Sequence, residues 1–197
     1  MRKLVGVLAV LTVAVMLTAS PVSAAKKSEP PPTFDRTVTD YVASWNSTQD
    51  ALVLQDQVTS MSAVQRAPGV FGNEVATGVP VYLLAKSKSS GIQAVVMPLK
   101  SGATGLQTPA RILAATITNL FPDLSTESEL AKAFLADAYP ALGNVPFKMP
   151  VTLNDLVDLH AVVYGEVVLF VATPVGAKVP AAAKKLVSRA KVPAPQS

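Results

Sequence analysis

Apolar residues recur at helical spacing once the chain leaves its proline-rich start. Phe34, Val38, Tyr41, Val42 and Trp45 share one stripe and predict an amphipathic helix. Asn46-Ser47-Thr48 interrupts that stripe. Ser47 to Asp50 has the form of a capping box with Asp in place of the usual Glu. A second helix is therefore expected through Leu54, Val58, Met61 and Val64, ending at Ala67-Pro68-Gly69. The period then changes. Val79 to Ala85 and Ile92 to Leu99 are rich in strand formers and flank the polar loop Lys86 to Gly91, which predicts a β-hairpin over 79–99.

Helical spacing returns at Thr108-Pro109, a capping residue followed by a proline suited to the first turn. Ile112, Leu113, Thr116, Ile117, Leu120 and Phe121 form the stripe, and Pro122 closes it. A fourth helix is expected after Ser125-Thr126, with Glu129 in capping register and Leu130, Phe134 and Leu135 as core residues, until Tyr139-Pro140 stops it. Residues 153–164 fit two patterns. Leu153, Leu156, Val157, His160, Ala161 and Tyr164 follow a helical period with Gly165 just past the end, and the same residues alternate tolerably as a strand. The helix is the preferred of the two. Glu166 to Thr173 is dominated by valine and predicts a strand, apolar on both faces and so centrally placed. The sum is an α+β domain. A small, mainly antiparallel sheet, built from the hairpin 79–99 and the strand 166–173, is covered by about four helices.

The two ends have other patterns. Arg2 and Lys3 precede an apolar run from Leu4 to Leu17, Pro21 follows, and Val22-Ser23-Ala24 offers small residues for cleavage. That order predicts a secretory signal peptide over 1–24, cleaved near Ala24, and hence a secreted or extracytoplasmic protein. Residues 25–33 form a proline-rich linker, 34–173 the single folded body, and 174–197 a flexible tail rich in Pro, Ala and Lys. A short helix can form within that tail from Pro180.

Composition narrows the chemistry. The chain has no cysteine, which excludes disulfides, thiol nucleophiles and thiolate metal sites. His160 is the single histidine, so an HExxH zinc site is excluded. No nucleophile elbow and no phosphate-binding glycine loop occurs, and no cofactor or metal is implied. The formal charge of +4 belongs to the ends. Between Phe34 and Ala177 there are eight basic against twelve acidic residues, so nucleic acid is not an expected partner.

Two groups of residues remain as candidates. Asp155, Asp158, His160 and Glu166 could supply carboxylate–imidazole catalysis, but no helix or strand aims all of them at one point. The alternative is an acidic helix start beside a packed histidine. Lys178, Lys184, Lys185, Arg189 and Lys191 form a cationic tail that suits an anionic envelope polymer or membrane surface. Asn46-Ser47-Thr48 matches a glycosylation sequon and is read as a turn. The expected function is an exported, non-catalytic binding or interaction protein of the cell envelope, with a protein partner or a small apolar ligand as further options. The alternatives are a secreted hydrolase using the Asp/His group, or an assembly partner of a membrane complex.

Overall fold

The first helix, α1 (Val38–Thr48), begins at a capping box formed by Thr37 and Asp40, well before the one expected at Ser47 to Asp50. The Thr37 hydroxyl accepts the Asp40 backbone N–H at 3.2 Å and donates to the Asp40 carboxylate at 2.7 Å. The helix start thereby satisfies donors that it would otherwise leave open. The structure is a computed structural model, and it describes residues 30–48, 58–100, 107–121, 150–153 and 155–189. Within these lie β1 (Gln65–Ala67), β2 (Val70–Ala76), β3 (Val79–Leu84), β4 (Ala94–Lys100), α2 (Gln107–Thr118), β5 (Val151–Leu153), β6 (Val157–Tyr164), β7 (Val167–Pro174) and α3 (Ala181–Arg189). The strands form one sheet in the order β1-β2-β3-β4-β7-β6-β5, and every neighbouring pair is antiparallel.

This corrects the expected small sheet under about four helices: the described residues hold a seven-stranded antiparallel sheet and three short helices. The expected helix over 125–139 lies outside the described residues. Two segments account for the rest of the difference. The first is 157–164, a strand and not a helix. Val157, Leu159 and Ala161 point to one face while Asp158, His160, Val162 and Tyr164 point to the other. A two-residue turn at Gly165-Glu166, with Gly165 at φ 57°, folds this strand onto β7 in a register eight pairs long. That ladder of backbone bonds outweighs the local helical period.

The second segment is the expected second helix. Residues 49–57 lie outside the described part, but 58–64 is extended chain running along β2. The Thr59 N–H donates to the Val75 carbonyl at 2.7 Å, and the Gly72 N–H to the Val64 carbonyl at 3.0 Å. Between these points the Asn73 side chain takes the Ser62 N–H at 2.7 Å and donates to the Ser60 carbonyl at 3.1 Å. On the other side the Asn46 amide accepts the Met61 N–H at 2.9 Å and donates to the Met61 carbonyl at 3.0 Å. One side chain thus occupies the donor and acceptor of Met61, as a neighbouring strand would. Asn46, the sequon residue, is a structural clamp. Asn46→Ala is expected to lower stability by about 1–2 kcal/mol, the net worth of two hydrogen bonds, read from the urea midpoint. An unchanged midpoint would show that the clamp carries no stability.

The sheet is covered on both faces. On the first, Val38, Tyr41 and Trp45 of α1 and Ile112, Leu113, Ile117 and Leu120 of α2 pack on Phe71, Val81, Leu83, Val95, Met97, Leu159 and Phe170. The two helices are also tied by polar bonds: the Tyr41 hydroxyl donates to the Thr116 carbonyl at 3.0 Å, and the Asn119 amide donates to the Tyr41 carbonyl at 2.8 Å. Burial pushes the Tyr41 phenol up, so it stays a neutral donor. On the second face, Ala183 and Leu186 of α3 join Val70, Leu84, Ala94, Val96, Leu169 and Val171 in a smaller cluster. Strand β7, held between β4 and β6, is buried on both sides, which explains its apolar run from Val167 to Ala172.

Candidate functional site

The site lies where β5, β6 and β7 end together, on the face of the sheet that also carries α3. Strand alternation places Asp158 and His160 on this face of β6. Pairing then sets Thr152 of β5 and Thr173 of β7 on either side of Asp158. The Asp158 carboxylate accepts the Thr152 hydroxyl at 2.6 Å through Oδ1 and the Gly176 backbone N–H at 2.7 Å through Oδ2. Gly176 belongs to the turn that leads from β7 to α3, and its φ of 75° suits glycine.

The Thr173 hydroxyl, fully buried, lies 3.1 Å from Nε2 of His160, 3.3 Å from the Ala177 carbonyl and 3.5 Å from the Asp158 carbonyl. A hydroxyl has one proton. With that proton on the Ala177 carbonyl, His160 donates from Nε2, and Nδ1 is left as the basic nitrogen. The hydrogen bond from Thr152 holds the Asp158 carboxyl below its ordinary range; burial opposes this, and the Gly176 N–H and the His160 charge assist. Burial also lowers His160, with Asp158 pulling the other way. Both groups therefore hold their ordinary charge states at neutral pH, a carboxylate and a neutral imidazole.

No protein-family model matches the chain, and neither a curated protein nor a solved structure shows significant similarity to it.

The structure brings Asp158 and His160 together and leaves the other two sequence candidates apart from them. Asp155 sits at the tip of the β5–β6 turn, exposed, with φ 56°. Glu166 lies in the β6–β7 turn at the opposite end of β6, about 20 Å away at the rise of an extended chain. Among the described residues no three His, Cys, Asp or Glu side chains are grouped to hold a metal ion. Both oxygens of Asp158 are engaged, and the one hydroxyl beside His160 is buried and bonded to backbone. The arrangement ties the β7–α3 turn to β5 and β6.

The partners that complete it, Thr152, Thr173 and Gly176, were not among the sequence candidates. No local signal marks them, because they meet Asp158 only through strand pairing. The cationic candidates fall on and around α3. Ala183 and Leu186 are buried against the sheet, while Lys178, Lys184 and Lys185 are exposed. Arg189 ends the helix, and Lys191 lies outside the described residues. Among the described residues no helix is long and apolar enough to cross a membrane.

Proposed function

We propose that this chain is an exported, non-catalytic binding protein of the cell envelope, held at an anionic surface by the cationic side of α3. The observation that carries this reading is the docking of α3 through Ala183 and Leu186, which leaves Lys184 and Lys185 exposed, as Lys178 is in the segment before the helix. A docked helix presents its charges in a fixed array, where a free tail would spread them. The body from Phe34 to Ala177 is net acidic, and the stretch after it carries Lys178, Lys184, Lys185, Arg189 and Lys191 with no acidic residue among them. Export is supported by the charged start, apolar run and small-residue site at 1–24. The hydrolase reading has less support, because Asp158 and Thr173 spend their hydrogen-bonding capacity on backbone and on Thr152.

Co-sedimentation of the chain from Ala25 onward, without the apolar leader, with anionic and neutral phospholipid vesicles tests this. Binding is expected to the anionic vesicles and to weaken as salt rises. Lys184→Gln with Lys185→Gln should weaken it about tenfold or more at low salt, since each lysine near such a surface contributes about 1 kcal/mol. Equal binding by the double variant would refute a role for α3.

A further inference from the structure

Two turns leave the sheet side by side at the Asp158 end. Val157 of β6 pairs with Pro174 of β7, so Leu156 and Val175 each stand one residue beyond the same pair. Neighbouring strands lie about 5 Å apart there. Leu156 closes the β5–β6 turn, its N–H bonded to the Leu153 carbonyl at 3.0 Å. Val175 belongs to the turn closed by the Ala177 N–H on the Pro174 carbonyl at 2.9 Å. Both side chains are turned to solvent, 38 % and 48 % exposed. The Asp158 carboxylate bonds Gly176 on one side and Thr152 on the other, which fixes the two turns relative to each other. Lys178 follows Val175 by three residues, within about 10 Å along the chain.

We propose that this end of the sheet is a lipid-insertion edge, at which Leu156 and Val175 enter the interfacial layer of an anionic bilayer while Lys178, Lys184 and Lys185 lie against its headgroups. The proposal rests on the association of α3 with an anionic surface and narrows that surface to a bilayer. A soluble polyanion has no apolar layer to receive two aliphatic tips. A stable protein interface needs about 800 Å² from each partner, far more than two small side chains offer. Rigid turns suit shallow insertion, because little conformational freedom is lost on binding. Asp155 beside Leu156 opposes the headgroup charge, so it should weaken the attachment and make it reversible.

The chain from Ala25 onward is compared on vesicles of equal parts phosphatidylglycerol and phosphatidylcholine and on soluble dextran sulfate. Leu156→Ser with Val175→Ser should bind the vesicles about tenfold more weakly, also at high salt, and bind dextran sulfate unchanged. Asp155→Asn, a residue that tolerates the same backbone conformation, should strengthen vesicle binding several-fold. Leu156→Trp gives a readout independent of affinity. The natural Trp45 is buried, so a blue shift of emission on vesicles reports the new side chain entering the apolar layer. Wild-type vesicle binding by the serine variant, or no emission shift in Leu156→Trp, overturns the insertion edge and leaves the α3 reading standing. Wild-type binding to both anionic ligands by Lys184→Gln with Lys185→Gln overturns the α3 reading itself.

Discussion

Gly72→Ala is expected to destabilise the protein by about 3 kcal/mol or more, read as a lower urea midpoint with an unchanged slope. Gly72 lies within β2 at φ 127°, a conformation that residues with a side chain rarely adopt. A Cβ at this position would overlap the Val81 carbonyl oxygen on the neighbouring strand, and backbone cannot swing aside as a side chain can. Both backbone groups of Gly72 are also in use: its N–H bonds the Val64 carbonyl, and its carbonyl accepts Nε of Arg66 at 3.0 Å. Relief of the clash would therefore pull on β3 or release the edge chain 64–66. Gly78→Ala separates the two contributions. Gly78 has φ 72° in the β2–β3 turn, and nothing lies within 4 Å of an added Cβ there. It should cost only about 1 kcal/mol, the conformational part alone. Equal costs at the two sites would remove the steric account of Gly72.

Asp158→Ala is expected to cost about 2–3 kcal/mol and to loosen the β7–α3 turn. It deletes two hydrogen bonds to a charged acceptor and leaves the Gly176 N–H without its partner. Asp158→Asn keeps one acceptor oxygen and should lose about half as much. Amide hydrogen exchange at Gly176 reports the loosening directly, and an unchanged rate in Asp158→Ala would deny the clamp.

The pH dependence has a definite sign. The folded protein holds Asp158 below its ordinary value of 3.8, so the unfolded chain binds the proton more readily. The stabilisation is complete above that value and is lost as pH falls through the lower folded one. His160 is held below its ordinary 6.5 by burial, so its neutral form favours the fold. That contribution is present above 6.5 and falls away below it, earlier in an acid titration than that of Asp158. Stability measured against pH should show two descending phases, the lower absent in Asp158→Ala and the upper absent in His160→Gln.

Much of the local structure was legible in the residues. α1, α2, β3, β4 and β7 occur where apolar periodicity and turn residues place them, because each is written in a contiguous stretch. β2 was not legible. Gly72-Asn73-Glu74 breaks its alternation, and Asn73 serves the neighbouring chain 58–64. That chain resembled a helix since Val58, Met61 and Val64 are spaced like one, yet its backbone is held by the amides of Asn46 and Asn73. Among the candidate residues, the joint position of Asp158 and His160 followed from strand alternation once β6 was known to be a strand.

By itself, then, the sequence determined what chemistry is closed to this protein, where its positive charge concentrates, and which stretches are locally committed to helix or strand. These properties belong to residue types and near neighbours, and no folding partner can change them. Tertiary structure alone decided that 157–164 pairs with β7, that Thr152 and Gly176 share one carboxylate, and that α3 rests on the sheet with its lysines outward. Each of those depends on a hydrogen bond or an apolar contact between segments distant in the chain. The free energy of such a contact exists only once both partners are in place.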